Sequence, residues 1–105
     1  MALGQYILDA EGRPVPEPDF LKWSMWMYSH NSEGKDSRIV KHTNIGKVLV
    51  STVFLGLNSS PRRLLLWETM IFAGEHDGYQ RRYESRAEAL AGHKAAVRMV
   101  KAVQN

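Results

Sequence analysis

The stretch from Lys47 to Leu57 constrains this chain more than any other. At the two-residue period of a strand, Val48, Val50, Thr52 and Phe54 fall on one face, and Leu49, Ser51, Val53 and Leu55 on the other. Both faces read as largely buried, which is the pattern of a central strand with a neighbour along each edge. A fold containing a sheet follows, and the remaining segments have to supply the neighbours and the cover.

The neighbours are legible. Arg38 to Thr43 is rich in β-formers and is joined to the central strand by Asn44-Ile45-Gly46, which reads as a hairpin turn. After the polar loop Asn58 to Arg63, Leu64 to Ala73 is expected as the next strand. Beyond the turn Gly74-Glu75-His76-Asp77-Gly78, a short one is expected over Gln80 to Tyr83, completing an antiparallel meander. At the other end, a short strand over Gln5 to Asp9 is stopped by Glu11-Gly12-Arg13-Pro14. The prolines at 14, 16 and 18 then hold the backbone extended, so a helix can start only at about Pro18, running to Ser29.

Ser85-Arg86-Ala87-Glu88 matches a capping box and opens a helix from Arg86 to about Val103, with Ala87, Leu90, Val97 and Val100 on its apolar side. The expected fold class is α+β: an antiparallel sheet of about four to five strands with one N-terminal and one C-terminal helix packed on it. With 105 residues, the chain is the length of a single domain, residues 1–105.

Several chemistries are excluded or unmarked. The chain has no cysteine, which removes disulfides, thiolate zinc sites and thiol nucleophiles. His30, His42, His76 and His93 show no metal-binding spacing, and no metal or cofactor is expected. There is no Gly-x-Ser-x-Gly turn, no phosphate-binding Gly-x-x-x-x-Gly-Lys loop and no dinucleotide fingerprint, so no catalytic residue is assigned and a non-enzymatic role is expected. A site assembled from distant residues around His93, Glu68 or His76 would leave no motif. No signal-peptide pattern and no membrane-length apolar run occur, and a cytoplasmic protein without a membrane partner is the expectation.

The residues that could carry binding each have a structural alternative. Glu68 stands between Leu66 and Met70 on one strand face, as a ligand-reading acid or as a carboxylate paired with an arginine. His93 lies on the apolar side of the last helix, as a polar reader or as a hydrogen-bonded packing residue. The segment from Gly74 to Gly78 reads as an acid–base loop or as a plain turn. Arg62-Arg63 and Arg81-Arg82 suit phosphate oxygens or serve as solubilising charge, within a formal net charge of +3. Finally, Phe20, Leu21, Trp23, Met25, Trp26, Met27 and Tyr28 make the first helix apolar over far more than one core-facing stripe. Such a helix marks an interface unless the N-terminal strand and the proline-rich segment cover it.

Taken together, Tyr6-Ile7-Leu8-Asp9 with Glu11-Gly12-Arg13-Pro14-Val15-Pro16, Val50-Ser51-Thr52-Val53-Phe54-Leu55-Gly56-Leu57, Trp67-Glu68-Thr69-Met70-Ile71-Phe72 and Glu88-Ala89-Leu90-Ala91-Gly92-His93 resemble a family of small proteins encoded by tailed bacteriophages and prophages. The resemblance covers nearly the whole chain. It departs from the family at Ala73, where the family carries a glycine beside Gly74. No established activity comes with the resemblance. It implies action inside an infected bacterial cell, where small phage proteins occupy host proteins or sequester nucleotide signals.

The functional expectation is accordingly a homo-oligomer that sequesters a small anionic ligand of nucleotide type. Arg62, Arg63, Arg81 and Arg82 are its phosphate contacts, Trp26 or Trp67 its stacking surface, and Glu68 or His93 its polar reader. The alternative is a protein–protein module blocking a host factor through Trp23, Trp26 and Tyr28. A third reading is nucleic-acid binding, because helix, antiparallel strands and capped final helix are similar to double-stranded RNA-binding architecture.

Overall fold

The central strand is where its alternation places it. In a computed structural model describing residues 4–34 and 36–104, the elements in chain order are β1 (Gly4–Leu8), β2 (Pro14–Pro16), α1 (Phe20–Ser29), β3 (Ile39–Ile45), β4 (Val48–Phe54), β5 (Leu57–Asn58), β6 (Trp67–Phe72), β7 (Gln80–Tyr83) and α2 (Arg86–Ala102). Residues 1–3 of the N-terminal segment, Lys35 of the polar loop and Asn105 lie outside the description.

The architecture is α+β. One antiparallel sheet has the order β3-β4-β6-β7, and a second has the order β2-β1-β5. Val48, Val50, Thr52 and Phe54 of β4 are all buried, with Ile71, Thr69 and Trp67 of β6 opposite Val50, Thr52 and Phe54. Helix α2 packs across the four-stranded sheet. The other β4 face, Leu49, Ser51 and Val53, is only half-buried, so the expectation of two buried faces holds on one side.

Division into two sheets is where the structure departs from a simple meander, and Gly56 is the reason. Its φ of 72° is left-handed, a conformation costly for a side chain, and an added Cβ would come within 2.6 Å of the Met27 sulfur. The chain therefore turns out of β4 there, and Leu57–Asn58 pairs with β1 before β6 returns to β4. Strand β6 starts at Trp67 rather than Leu64. Residues 64–66 are irregular, although Leu66 is fully buried, and the Asn58 side-chain carbonyl accepts from the Leu65 N–H at 3.2 Å.

The β3–β4 hairpin turns at Gly46-Lys47, one residue later than Asn44-Ile45-Gly46, because Gly46 takes the positive φ and Ile45 still pairs with Val48. After β6, Ala73 itself adopts a φ of 75°, and its N–H donates to Asp77 Oδ1 at 2.6 Å. A glycine there would reach this conformation without a Cβ clash.

Asp19 caps α1, accepting from the Lys22 N–H at 3.1 Å, so the helix starts after Pro18. Ser85 caps α2 through the Glu88 N–H at 3.1 Å, while its hydroxyl donates to the Glu88 carboxylate. The buried residues of α2 are Ala89, His93, Ala96 and Val100; Leu90 and Val97 are half-buried and Ala87 is exposed. Small residues at the contact let the helix lie close to the sheet.

Two apolar clusters result. One gathers Tyr6, Leu8, Val40, Phe54, Leu66, Trp67, Tyr83 and Ala89; the other gathers Val48, Val50, Ile71, Ala96 and Val100. His93 lies between them along α2.

Candidate functional site: a basic cleft over a buried hydroxyl–imidazole chain

Thr52 and Thr69 face each other across β4 and β6, pointing at α2 in the middle of an otherwise apolar layer. Buried hydroxyls need partners, and these find one another and His93. Thr52 Oγ1 lies 2.5 Å from Thr69 Oγ1 and 2.7 Å from His93 Nδ1. The other ring nitrogen, Nε2, is 2.8 Å from Thr43 Oγ1 on β3. A continuous chain Thr69–Thr52–His93–Thr43 thus runs from the centre of the sheet to its β3 edge.

At that edge the chain ends in a cleft of about 360 Å³ lined by Lys41, Thr43, His93, Lys94, Val97 and Arg98. Lys41 sits on β3; Lys94 and Arg98 are one helical turn apart on α2, and all are exposed. Among the described residues the ion pairs are Arg13 with Asp9 and Glu11, Arg63 with Glu84, and Arg82 with Glu68, so none of the cleft cations is neutralised by a carboxylate. Burial, then the charges of Lys41 and His42, hold the His93 imidazole below its ordinary 6.5; Glu33, whose carboxylate accepts from the His42 N–H, opposes them. The imidazole is therefore a neutral hydrogen-bonding group with one donor and one acceptor nitrogen.

The arginine doublets are placed otherwise. Arg63 is paired with Glu84 at 2.8 Å, and Arg82 with Glu68 at 3.0 Å; Arg82 also donates to Ser59 Oγ. Arg81 is exposed, with its guanidinium 5.9 Å from the Tyr83 ring centroid, and Arg62 is exposed in the loop after β5. The four arginines do not converge on one cleft.

Glu68 is a sheet carboxylate held by Arg82, directly opposite it in register, and by the Gln80 amide; it is the paired alternative, not a free acid. Trp67 is 2% exposed and edge-on to Phe54 at 5.5 Å, so its ring faces have no room for a base. Ala73 to Gly78 form a turn closed by Asp77, with no acid–base pairing to His76 among the described residues. No group of three or more His, Asp or Glu able to hold a metal occurs among the described residues.

Helix α1 separates its aromatics by face. Trp23 donates from Nε1 to the Gly56 carbonyl at 2.8 Å, and Trp26 stacks on His30 and meets Phe54 edge-on at 5.8 Å. Both are half-buried against the protein's own body. Outward lie Phe20, Leu21, Met25 and Tyr28, the last 85% exposed.

Of the binding residues chosen from sequence, only His93 belongs to the basic cleft. Lys41, Lys94 and Arg98 were missed because their proximity is created by α2 crossing β3. The one local signal was the Lys94, Arg98 spacing beside His93 on a helix.

Compared with protein-family models, curated proteins and solved structures, the chain matches none of them. Among the described residues, no helix is long and apolar enough to cross a membrane.

Proposed function

We propose that this protein is a non-enzymatic binding protein for a small phosphate-bearing anion, held in the cleft between β3 and α2. The observation carrying this reading is the convergence of Lys41, Lys94 and Arg98, without carboxylate partners, over the Thr43 and His93 side chains. Arg98 offers forked donors and the lysines compact charge, an arrangement matched to phosphate oxygens. The cleft volume of about 360 Å³ is at the small end of ligand pockets. A nucleotide-type signal fits this chemistry and the phage origin implied by the resemblance, and sequestration of such a signal is the role we assign.

Native mass spectrometry with inorganic pyrophosphate tests the reading. The chain is expected to retain the anion, and the double variant Lys94→Glu, Arg98→Glu, altered at exposed positions, to lose it. Equal retention by both, or by neither, would reject the cleft as the site.

The outward face of α1 favours a second reading, an interface with a copy of this chain or with a host protein. Large apolar side chains presented together on one helix mark association surfaces.

A further inference from the structure

The hydroxyl–imidazole chain has a property that the cations alone lack: it has a direction. Thr52 Oγ1 carries one proton and has two neighbours, Thr69 Oγ1 and His93 Nδ1, so it donates to only one of them. If it donates to Nδ1, Thr69 donates to Thr52, the imidazole proton sits on Nε2 and is given to Thr43, and the Thr43 hydroxyl proton is left to point into the cleft. If instead Thr52 donates to Thr69, Nδ1–H donates to Thr52, and Nε2 accepts from Thr43, whose proton is then used internally. A neutral ring permits these two arrangements and no mixed one. They differ in what the cleft sees: a hydroxyl donor in the first, hydroxyl lone pairs in the second.

Resting on the binding reading above, we propose that the chain Thr69–Thr52–His93–Thr43 is the specificity device of the cleft, set with its donor outward when the ligand presents an ionised phosphate oxygen. An acceptor-only group accepts the Thr43 proton and fixes all four side chains in the first arrangement. A ligand that presents a hydroxyl or protonated oxygen in the same place meets only the neutral, reversible chain and the surface cations. The buried threonines thereby transmit to the cleft a preference that Lys41, Lys94 and Arg98 cannot express, since they attract any anion.

Nitrogen-detected NMR of the histidine-labelled full chain, titrated with inorganic pyrophosphate, reads the direction. Bound protein is expected to show His93 protonated on Nε2 and bare on Nδ1. Thr43→Val should weaken pyrophosphate binding about tenfold or more, the loss of a hydrogen bond to a charged group, and Thr43→Ser should restore it. Pyrophosphate binding with the proton on Nδ1, or with undiminished affinity in Thr43→Val, overturns the device while leaving the cleft as a binding site. Absence of pyrophosphate binding in the unaltered chain overturns the cleft reading and this inference together.

Discussion

Gly92 shows how one residue decides the fit of a helix on its sheet. It stands inside α2, where glycine ordinarily destabilises by about 0.5–1 kcal/mol relative to alanine. Here an added Cβ would fall 2.1 Å from the Tyr83 hydroxyl oxygen and 2.3 Å from the ring carbon bearing it. That ring is 4% exposed and cannot swing away. We therefore expect Gly92→Ala to destabilise the fold by about 1–3 kcal/mol through overpacking, despite its better helix propensity. Urea denaturation measures it, and a gain in stability would show that Tyr83 does not lie under the helix as described. The glycine was visible in the sequence, but its necessity was not, because Tyr83 reaches it only after β7 is laid beside β6.

Among the elements, α1 is held least by its own protein. None of its residues is buried, and it rests on β1 with Trp23 and Trp26 turned inward. A ten-residue helix is marginal in isolation, so the inward contacts of Trp23 and Trp26 hold it in place. The double variant Leu21→Lys, Met25→Lys is expected to leave far-UV circular dichroism unchanged while abolishing self-association in sedimentation velocity. Indistinguishable sedimentation of the two proteins would remove the self-interface version of the second reading. The excess of apolar residues on this helix was legible from periodicity; which aromatics face inward was not, since that depends on the Gly56 carbonyl meeting Trp23. Elements with strong local signals were read closely: β4 from alternation, α2 from its serine cap. The β1–β5 pairing escaped because two residues after a left-handed glycine carry no strand pattern. For the same reason the cleft was half-legible: His93 stood out as a polar residue on an apolar helix face, while its basic surroundings come from two elements distant in sequence.

Over the whole molecule, the polar chain through His93 lies between two apolar clusters that α2 spans from Ala89 to Val100. Stability should therefore depend on keeping this imidazole neutral. Folding lowers its pKa below 6.5, chiefly by burial, and the charges facing it are Lys41 and His42 on β3 and Lys94 and Arg98 on α2, with Glu33 the opposing acid. The unfolded chain, titrating near the ordinary value, takes up a proton in a range where the native state does not. The linkage then has a definite sign: the contribution is complete above about pH 6.5 and is lost as pH falls through the lower native value. Among the described residues, the Asp9 carboxyl is also held below its ordinary 3.8, chiefly by accepting from the Arg13 N–H, and acts at lower pH. Thermal unfolding is thus expected to show a midpoint that falls as pH drops below about 6.5, and a shallower fall in His93→Gln, which cannot take up the proton. If both proteins lost stability equally over that range, the imidazole would not be the group that couples the two clusters to pH. A phosphate-bearing anion that binds only the folded cleft should raise the midpoint of the unaltered protein throughout the same range, since ligand binding to the native state adds its own stabilisation.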